Sequence, residues 1–416
     1  MSMQLEVGTF DANTGGTQTT VTTGFQGSAA IFWTWGKTST GESAAACFSM
    51  GFTDGTNYRG VAWSGDDAVA TTNVGRIGDT THAGIVLTNG NPTLGTGGRV
   101  TTVAFNAAPN MVVTFDATPA SAWKWNYILF AGTDFTNIKV GQFTAATSTG
   151  NQSTTDPGFQ PDAALFLCPR VTAGSASATA YMDMGFALSS SKQWALRTKV
   201  SDAQTVGTSV DGIADMRDDQ VLVGSSTTTG LDYVADFTQF TATGWDWNWS
   251  DAASSAWLIF YIAWKGGHWD AGVSTKPADA STQTVSGLAY VPKLLGMLMS
   301  SPTALNTVTS NAINTFGATD GTNQAWGGGY HNDDINSVAK SGGAATAMQH
   351  EMNATASAAF TSFGAGGSWM ITWDASGTAF KTPWFTVGDT LASESPPAAA
   401  FGDYAGQFRI IRPTSW

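Results

Sequence analysis

Near the middle of the chain stands Val140-Gly141-Gln142-Phe143, then Gly158-Phe159-Gln160-Pro161-Asp162-Ala163-Ala164-Leu165-Phe166. This is the second appearance of a pattern already present at the start. There Val7-Gly8-Thr9-Phe10 is followed by Gly24-Phe25-Gln26 and the apolar run Ala29-Ala30-Ile31-Phe32-Trp33. A third, more worn copy runs from Ala271-Gly272-Val273 to Tyr290-Val291-Pro292-Lys293-Leu294-Leu295. Phe25 and Phe159 lie 134 residues apart, and Phe159 and Tyr290 131. Met50-Gly51-Phe52 returns as Met184-Gly185-Phe186, and Thr53-Asp54-Gly55-Thr56-Asn57 returns as Thr319-Asp320-Gly321-Thr322-Asn323. Phe115 precedes Trp123 as Trp249 precedes Trp257, by eight residues each time; the third copy keeps only Trp373, Phe380 and Trp384. The period is far longer than the ~20–50 residues of solenoid repeats. It matches a domain of ~100–150 residues with its own core.

The repeat predicts three tandem modules: residues 1–139, 140–270 and a divergent 271–390. Residues 391–416 remain as a linker, Ser393-Glu394-Ser395-Pro396-Pro397, and a C-terminal arm from Phe401 to Trp416. The arm either adds as a strand to a neighbour or closes the third module's own sheet. Short runs rich in β-branched and aromatic residues dominate, such as Ile31 to Trp35, Met111 to Phe115 and Trp123 to Phe130. Asp54-Gly55, Asn89-Gly90 and Gly97-Gly98 punctuate them as turns. No window shows sustained helical periodicity. The expected fold is therefore all-β: three antiparallel β-sandwich modules of about 130 residues, of which the jelly roll is one form. The unbroken apolar run Trp257 to Trp264 predicts a strand covered on both faces, within the sandwich or against another module. Gly327-Gly328-Gly329 and Gly364-Ala365-Gly366-Gly367 read as flexible loops. Tandem sandwiches suggest a stiff, extended object, with the third copy diverging because it ends the row.

Charged residues make up only 12% of the chain, about half the usual share, with a net charge of −13. Scattered basic residues and an acidic balance exclude a nucleic-acid partner. Cys47 and Cys168 sit at unmatched places, so neither a disulfide framework nor a Cys-x-x-Cys metal site is expected. The first residues carry no secretory pattern and no apolar run is long enough for a membrane helix, so a soluble protein made in the cytoplasm is expected.

No catalytic set and no cofactor motif stands out. Glu6, Glu42, Glu351 and Glu394 are non-equivalent, which disfavours a paired-carboxylate glycosidase. The acidic clusters Asp54, Asn57, Asp66 and Asp67, and Asp320, Asn323, Asp333 and Asp334, have the oxygen chemistry of a calcium site. Asp-Gly turns that bond their own backbone explain the same residues, and the second copy has lost most of them. Trp245, Trp247 and Trp249 alternate along one strand and could form a ring platform for sugars. The same two-residue alternation at Trp123 and Trp125 in the first copy favours the sandwich core.

Val140 to Thr144, Thr149-Gly150-Asn151-Gln152-Ser153 and Gly158 to Ala163 resemble structural proteins of tailed bacteriophages, as does Ser64-Gly65-Asp66-Asp67. The resemblance spans the three copies and implies a non-enzymatic virion component, folded in the host cytoplasm and assembled as an oligomer. The expected function is a head decoration, spike or fibre protein whose partners are other copies of itself and other virion proteins. The alternative is a tail- or spike-borne adhesin that binds host glycan through an aromatic face.

Overall fold

The computed structural model describes residues 3–106, 110–205, 212–225, 230–332, 339–352 and 356–390. Among them it is all-β, and each copy contributes eleven strands. In the first copy these are β1 (Gln4–Asp11), β2 (Gln18–Thr22), β3 (Ala29–Thr34), β4 (Gly41–Ala44), β5 (Ala46–Thr53) and β6 (Tyr58–Gly65), then β7 (Val74–Asp79), β8 (Ile85–Leu87), β9 (Leu94–Phe105), β10 (Asn110–Phe115) and β11 (Lys124–Ala131). A large sheet in the order β1-β11-β3-β5-β6-β7 packs on a four-stranded sheet, β2-β10-β9-β8. The second and third copies repeat this order. Their first strands are Phe135–Thr144 and His268–Thr275, so the sequence boundaries at 139/140 and 270/271 fall inside strands. The recognisable Val-Gly motif lies mid-strand, which is why it marked the boundary late.

No module is self-contained. The seventh strand of each large sheet comes from another copy: Ser175–Ala178 pairs with β7, and Thr309–Ser310 pairs with Gly212–Arg217. β4 completes the cycle by pairing with Ala339–Ala344 of the third copy. The extended row expected from the sequence is therefore replaced by a closed ring of three, with the third module seated against the first. A row would leave one large sheet with an unpaired edge at its end, and edges invite association; the ring pairs all three. At each donation point the chain turns a corner through a left-handed residue, Ala45, Thr179 or Asn311.

The large sheets are buried on both faces, which accounts for their lack of polar alternation. In Leu258–Gly266, Ile259, Tyr261 and Ala263 face the second module's own core. Phe260, Ile262 and Trp264 face a central core shared by all three modules, with Trp33, Phe186, Phe316 and Phe385. Phe186 and Phe385 stack there at 4.9 Å, and Trp33 meets Phe316 edge-on at 4.9 Å. Each fully buried large side chain contributes roughly 1.5–3 kcal/mol of transfer free energy. The ring is thus held by burial as much as by strand pairing.

The repeated glycines are explained by close approach. A methyl group on Gly8 or Gly141 would overlap the ring of Tyr127 or Tyr261 from the adjacent strand. One on Gly51, Gly185 or Gly317 would overlap the carbonyl of Ala83, Val221 or Met348, where the chain crosses into the outer sheet. Gly327, Gly328 and Gly329 are not a loop: they lie buried in the strand Gln324–His331. Trp33 and Trp35 occupy the space beside Gly327, and Trp63 the space beside Gly329. Gly364 and Gly367 do form a turn, with Gly367 at φ 76°. Phe25 and Phe159 stand six residues before Ile31 and Leu165, which pair with Phe52 and Phe186. A bulge between Pro292 and Leu294 breaks the register in the third copy, so Tyr290 does not share their position and Leu288 enters the third outer core instead. Phe25 and Phe159 are half-buried against their modules' outer cores, whereas Tyr290 is buried and its hydroxyl donates to the Thr386 carbonyl at 2.9 Å. The linker and arm at 391–416 lie outside the described residues.

Candidate functional site

Three of the calcium candidates, Asp54, Asp67 and Asp320, are fasteners between modules. Asp54 Oδ1 accepts from the amides of Thr56 (3.0 Å) and Asn57 (2.7 Å), the ordinary capping of a tight turn. Its Oδ2 accepts from the amide of Val140, in the second module, at 2.9 Å. Asp320 repeats both roles, capping Thr322 and Asn323 and accepting from Val7 of the first module at 2.8 Å. Asn57 and Asn323 donate to these same carboxylates rather than turning their oxygens to a common point. Asp67 accepts from Ala339 of the third module (3.0 Å), and Asp202 from Val74 of the first (3.0 Å). Asp66 accepts from Gly90 and from the Asn73 side chain. These oxygens are already taken, and no group of three metal-ligating side chains occurs among the described residues. Asp333 and Asp334 lie outside those residues.

The glycan platform is likewise corrected. Trp245, Trp247 and Trp249 are 0%, 1% and 2% exposed, inside the second module's core. Trp247 stands 5.2 Å from both Phe143 and Phe166, and its indole N–H donates to Thr154 Oγ1 at 3.0 Å. A shallow groove of about 400 Å³ between Gln152–Asp156 and this strand reaches only the edges of Trp247 and Trp249. The side of the strand that meets solvent carries Asp246 and Asn248 instead.

The chemistry that the structure does gather lies elsewhere in the second module. Three paired positions run across each large sheet on its sandwich side. They are Ser49, Ala62 and Ile77 in the first module, and Thr315, Gly328 and Gly342 in the third. In the second they are Asp183, Arg197 and Asp215. Arg197 Nε donates to Asp215 Oδ2 at 3.2 Å, and Nη1 to Ser225 Oγ and the Gly230 carbonyl. Arg217 shares Asp215 at 3.0 Å, and Tyr233 donates to Asp183 at 2.7 Å. Arg170 bonds Asp232 at 2.6 Å and stacks between the rings of Tyr181 and Trp257.

Burial pushes the Asp183 carboxyl up to about 7, against the pull of Arg170 and the Tyr233 hydroxyl. The same burial, with Asp183 next in effect, raises Cys168 to about 12, so that thiol is not a nucleophile at neutral pH. Burial lowers the Lys199 ammonium to about 8, with Arg170 and Arg197 adding to it. Such a charged interior is costly to desolvate. Sequence reading missed it because no motif marks it. Aligning the copies could have found it: Met182-Asp183-Met184-Gly185-Phe186 puts an aspartate where Phe48-Ser49-Met50-Gly51-Phe52 has an inward serine.

No family model matches the chain, and no curated protein matches it. Among solved structures it overlaps a variant fructofuranosidase from Schwanniomyces occidentalis, in complex with fructosylnystose. Identity is 8% over 83% of this chain and 93% of that one, at a TM-score of 0.12. An overlap that weak establishes neither a common fold nor common chemistry.

Proposed function

We propose that the protein is a non-enzymatic structural component of a tailed-phage particle, a head decoration, spike or fibre, acting through its surfaces. The observation that carries this reading is the closed ring: three modules in one chain, each completing the sheet of the one before it around the cycle. Tethering makes the assembly independent of protein concentration, as a particle component needs after dilution from the cell. Three equivalent outer sheets then multiply weak contacts with a repetitive partner surface, whether other virion proteins or further copies of this chain. Asp54, Asp67 and Asp320, three of the calcium candidates in the sequence, support this cohesion, each accepting from an amide of another module. An adhesin role through Trp245, Trp247 and Trp249 loses its platform, because those rings are core.

Purified particles labelled with antibody to this chain and viewed by negative-stain microscopy test the proposal. Label on the head supports a decoration or fibre, and label on the tail tip would favour receptor binding. Particles without the chain, or turnover of cell-surface polysaccharide by the purified protein, would sink it.

A further inference from the structure

At the seam between the first and second modules three cations surround one aromatic ring. The guanidinium carbons of Arg76 and Arg170 lie 4.7 and 4.4 Å from the centre of Tyr181, and the Lys199 ammonium 5.9 Å from it. Arg76 comes from β7 and spends its nitrogens on the carbonyls of Pro169, Arg170, Ala178 and Thr179, so its charge meets no carboxylate. Arg170 uses Nη2 on Asp232, while its buried Nε and Nη1 have no hydrogen-bond partner. Lys199 is 6% exposed, and among the described residues its ammonium makes no hydrogen bond or ion pair. The stem of Lys199 is buried while its Nζ still reaches solvent, so the charge stands beside two guanidiniums with no anion among the described residues and within reach of a ligand.

The sibling modules show that the fold does not require it. Arg170, Tyr181 and Lys199 correspond to Gly36, Cys47 and Ser64 in the first module, and to Ser301, Ile313 and Tyr330 in the third, as the pairing of Tyr181 with Lys199, Cys47 with Ser64 and Ile313 with Tyr330 fixes. Arg170 also holds a left-handed backbone, φ 54°, where the first module has glycine at φ 66°. An arginine there is strained relative to glycine. Around this point stand Arg76, Arg170, Arg197, Arg217 and Lys199 against the carboxylates of Asp183, Asp215 and Asp232.

We propose that Lys199 and one unpaired N–H of Arg170, beside Tyr181, form a binding site for one oxyanion, a phosphate or carboxylate group. The ammonium supplies a point charge and the guanidinium one N–H donor, since its free Nε–H and Nη1–H point to opposite sides of the group; both contacts are charge-assisted and suit an oxyanion. The group would sit against β7 as well, so its binding tightens the seam between the first two modules and raises the stability of the ring by mass action.

Isothermal titration of the full chain with inorganic phosphate, and separately with acetate, at constant ionic strength tests the site. A saturable one-to-one isotherm with either probe is expected, and which probe binds identifies the group. Lys199→Met and Lys199→Gln are expected to weaken binding about tenfold or more, the loss of a charge-assisted hydrogen bond. Lys199→Arg should retain most of it. An isotherm that does not saturate with either probe overturns the proposal, as does equal affinity in a folded Lys199→Met or Lys199→Gln protein. Should neither variant unfold cooperatively, the parent's titration decides alone.

Discussion

Replacing Asp54 by alanine separates a fastener between modules from a metal ligand. The carboxylate accepts four hydrogen bonds: Thr56 N at 3.0 Å, Asn57 N at 2.7 Å, Asn57 Nδ2 at 2.9 Å and Val140 N at 2.9 Å. The first three belong to a turn within reach of water, which replaces them, so their loss is worth about 1 kcal/mol in all. Val140 is fully buried, and its amide would be left dry at a cost of about 1–3 kcal/mol. The sum is about 2–4 kcal/mol. Asp54→Asn keeps the Oδ1 role in the turn but turns an N–H toward the Val140 N–H, so it retains the second part of the loss. Asp320→Ala should behave alike, since Asp320 accepts from the buried amide of Val7 at 2.8 Å. The two act at different seams, and their effects should add. Urea unfolding followed by tryptophan fluorescence gives the midpoints, with EDTA and with calcium in parallel arms. The reasoning fails if either alanine variant loses under about 0.5 kcal/mol, the size of an ordinary surface substitution. It fails equally if EDTA alone destabilises the parent as much as the substitutions do.

Four further outcomes follow from the same geometry. Asp183 keeps its proton to about pH 7 in the native state but releases it near 3.8 when unfolded, so it stabilises fully below about pH 4 and loses this as pH rises toward 7. Thermal melts across that range should show Asp183→Asn gaining on the parent up to about pH 7 and then holding constant; a constant difference throughout would contradict the buried carboxyl. His331 works in the opposite sense: burial lowers it from 6.5 to about 4, so its contribution is lost as pH falls through that window, and removing the imidazole should flatten the acid limb of the same melts. Gly343→Ala drives a methyl into the Trp35 ring and should cost about 1–3 kcal/mol, partly recovered by Trp35→Leu in the same chain; strict additivity of the two would show that they do not touch. A circular permutant that joins Thr390 to Gln4 and opens the joint at 132–134 should fold with a similar melting temperature, because the third seam becomes covalent as the first is released; failure to fold would argue against the ring.

The modules, the all-β class and the doubly buried strand before Gly266 were legible in the sequence, because each rests on local signals. Repeat spacing survives divergence, and a strand such as Leu258–Gly266 cannot be wholly apolar unless both faces are covered. The ring was not legible. Its closing strands, Gly41–Ala44, Ser175–Ala178 and Thr309–Ser310, are short, polar and largely exposed, and read as loops. The roles of Asp54 and Asp320 were half legible: the turn chemistry is local, but the amides of Val140 and Val7 are supplied by other modules. The run Gly327 to Gly329 was misread because glycine signals either freedom or crowding, and only Trp33, Trp35 and Trp63 of the first module decide between them.

That last pairing bears on how a chain of similar modules finds one arrangement. Three near-copies could in principle close their sheets in wrong combinations, with a module completing its own sheet or that of the wrong neighbour. Two features discriminate. The joints are short, residues 132–134 and Gly267, so each module can donate its strand only to the one before it. The seams also differ in shape. Trp35 fills the space above Gly343, while at the next seam Pro169 lies over Gly78. Placing the third module where the second belongs would set Met216, the counterpart of Gly343, against the Trp35 ring. Overpacking of that size is worth about 1–3 kcal/mol at each misplaced contact. The buried glycines Gly327, Gly329 and Gly343 of the third copy are therefore the small complement of the first copy's Trp33, Trp35 and Trp63.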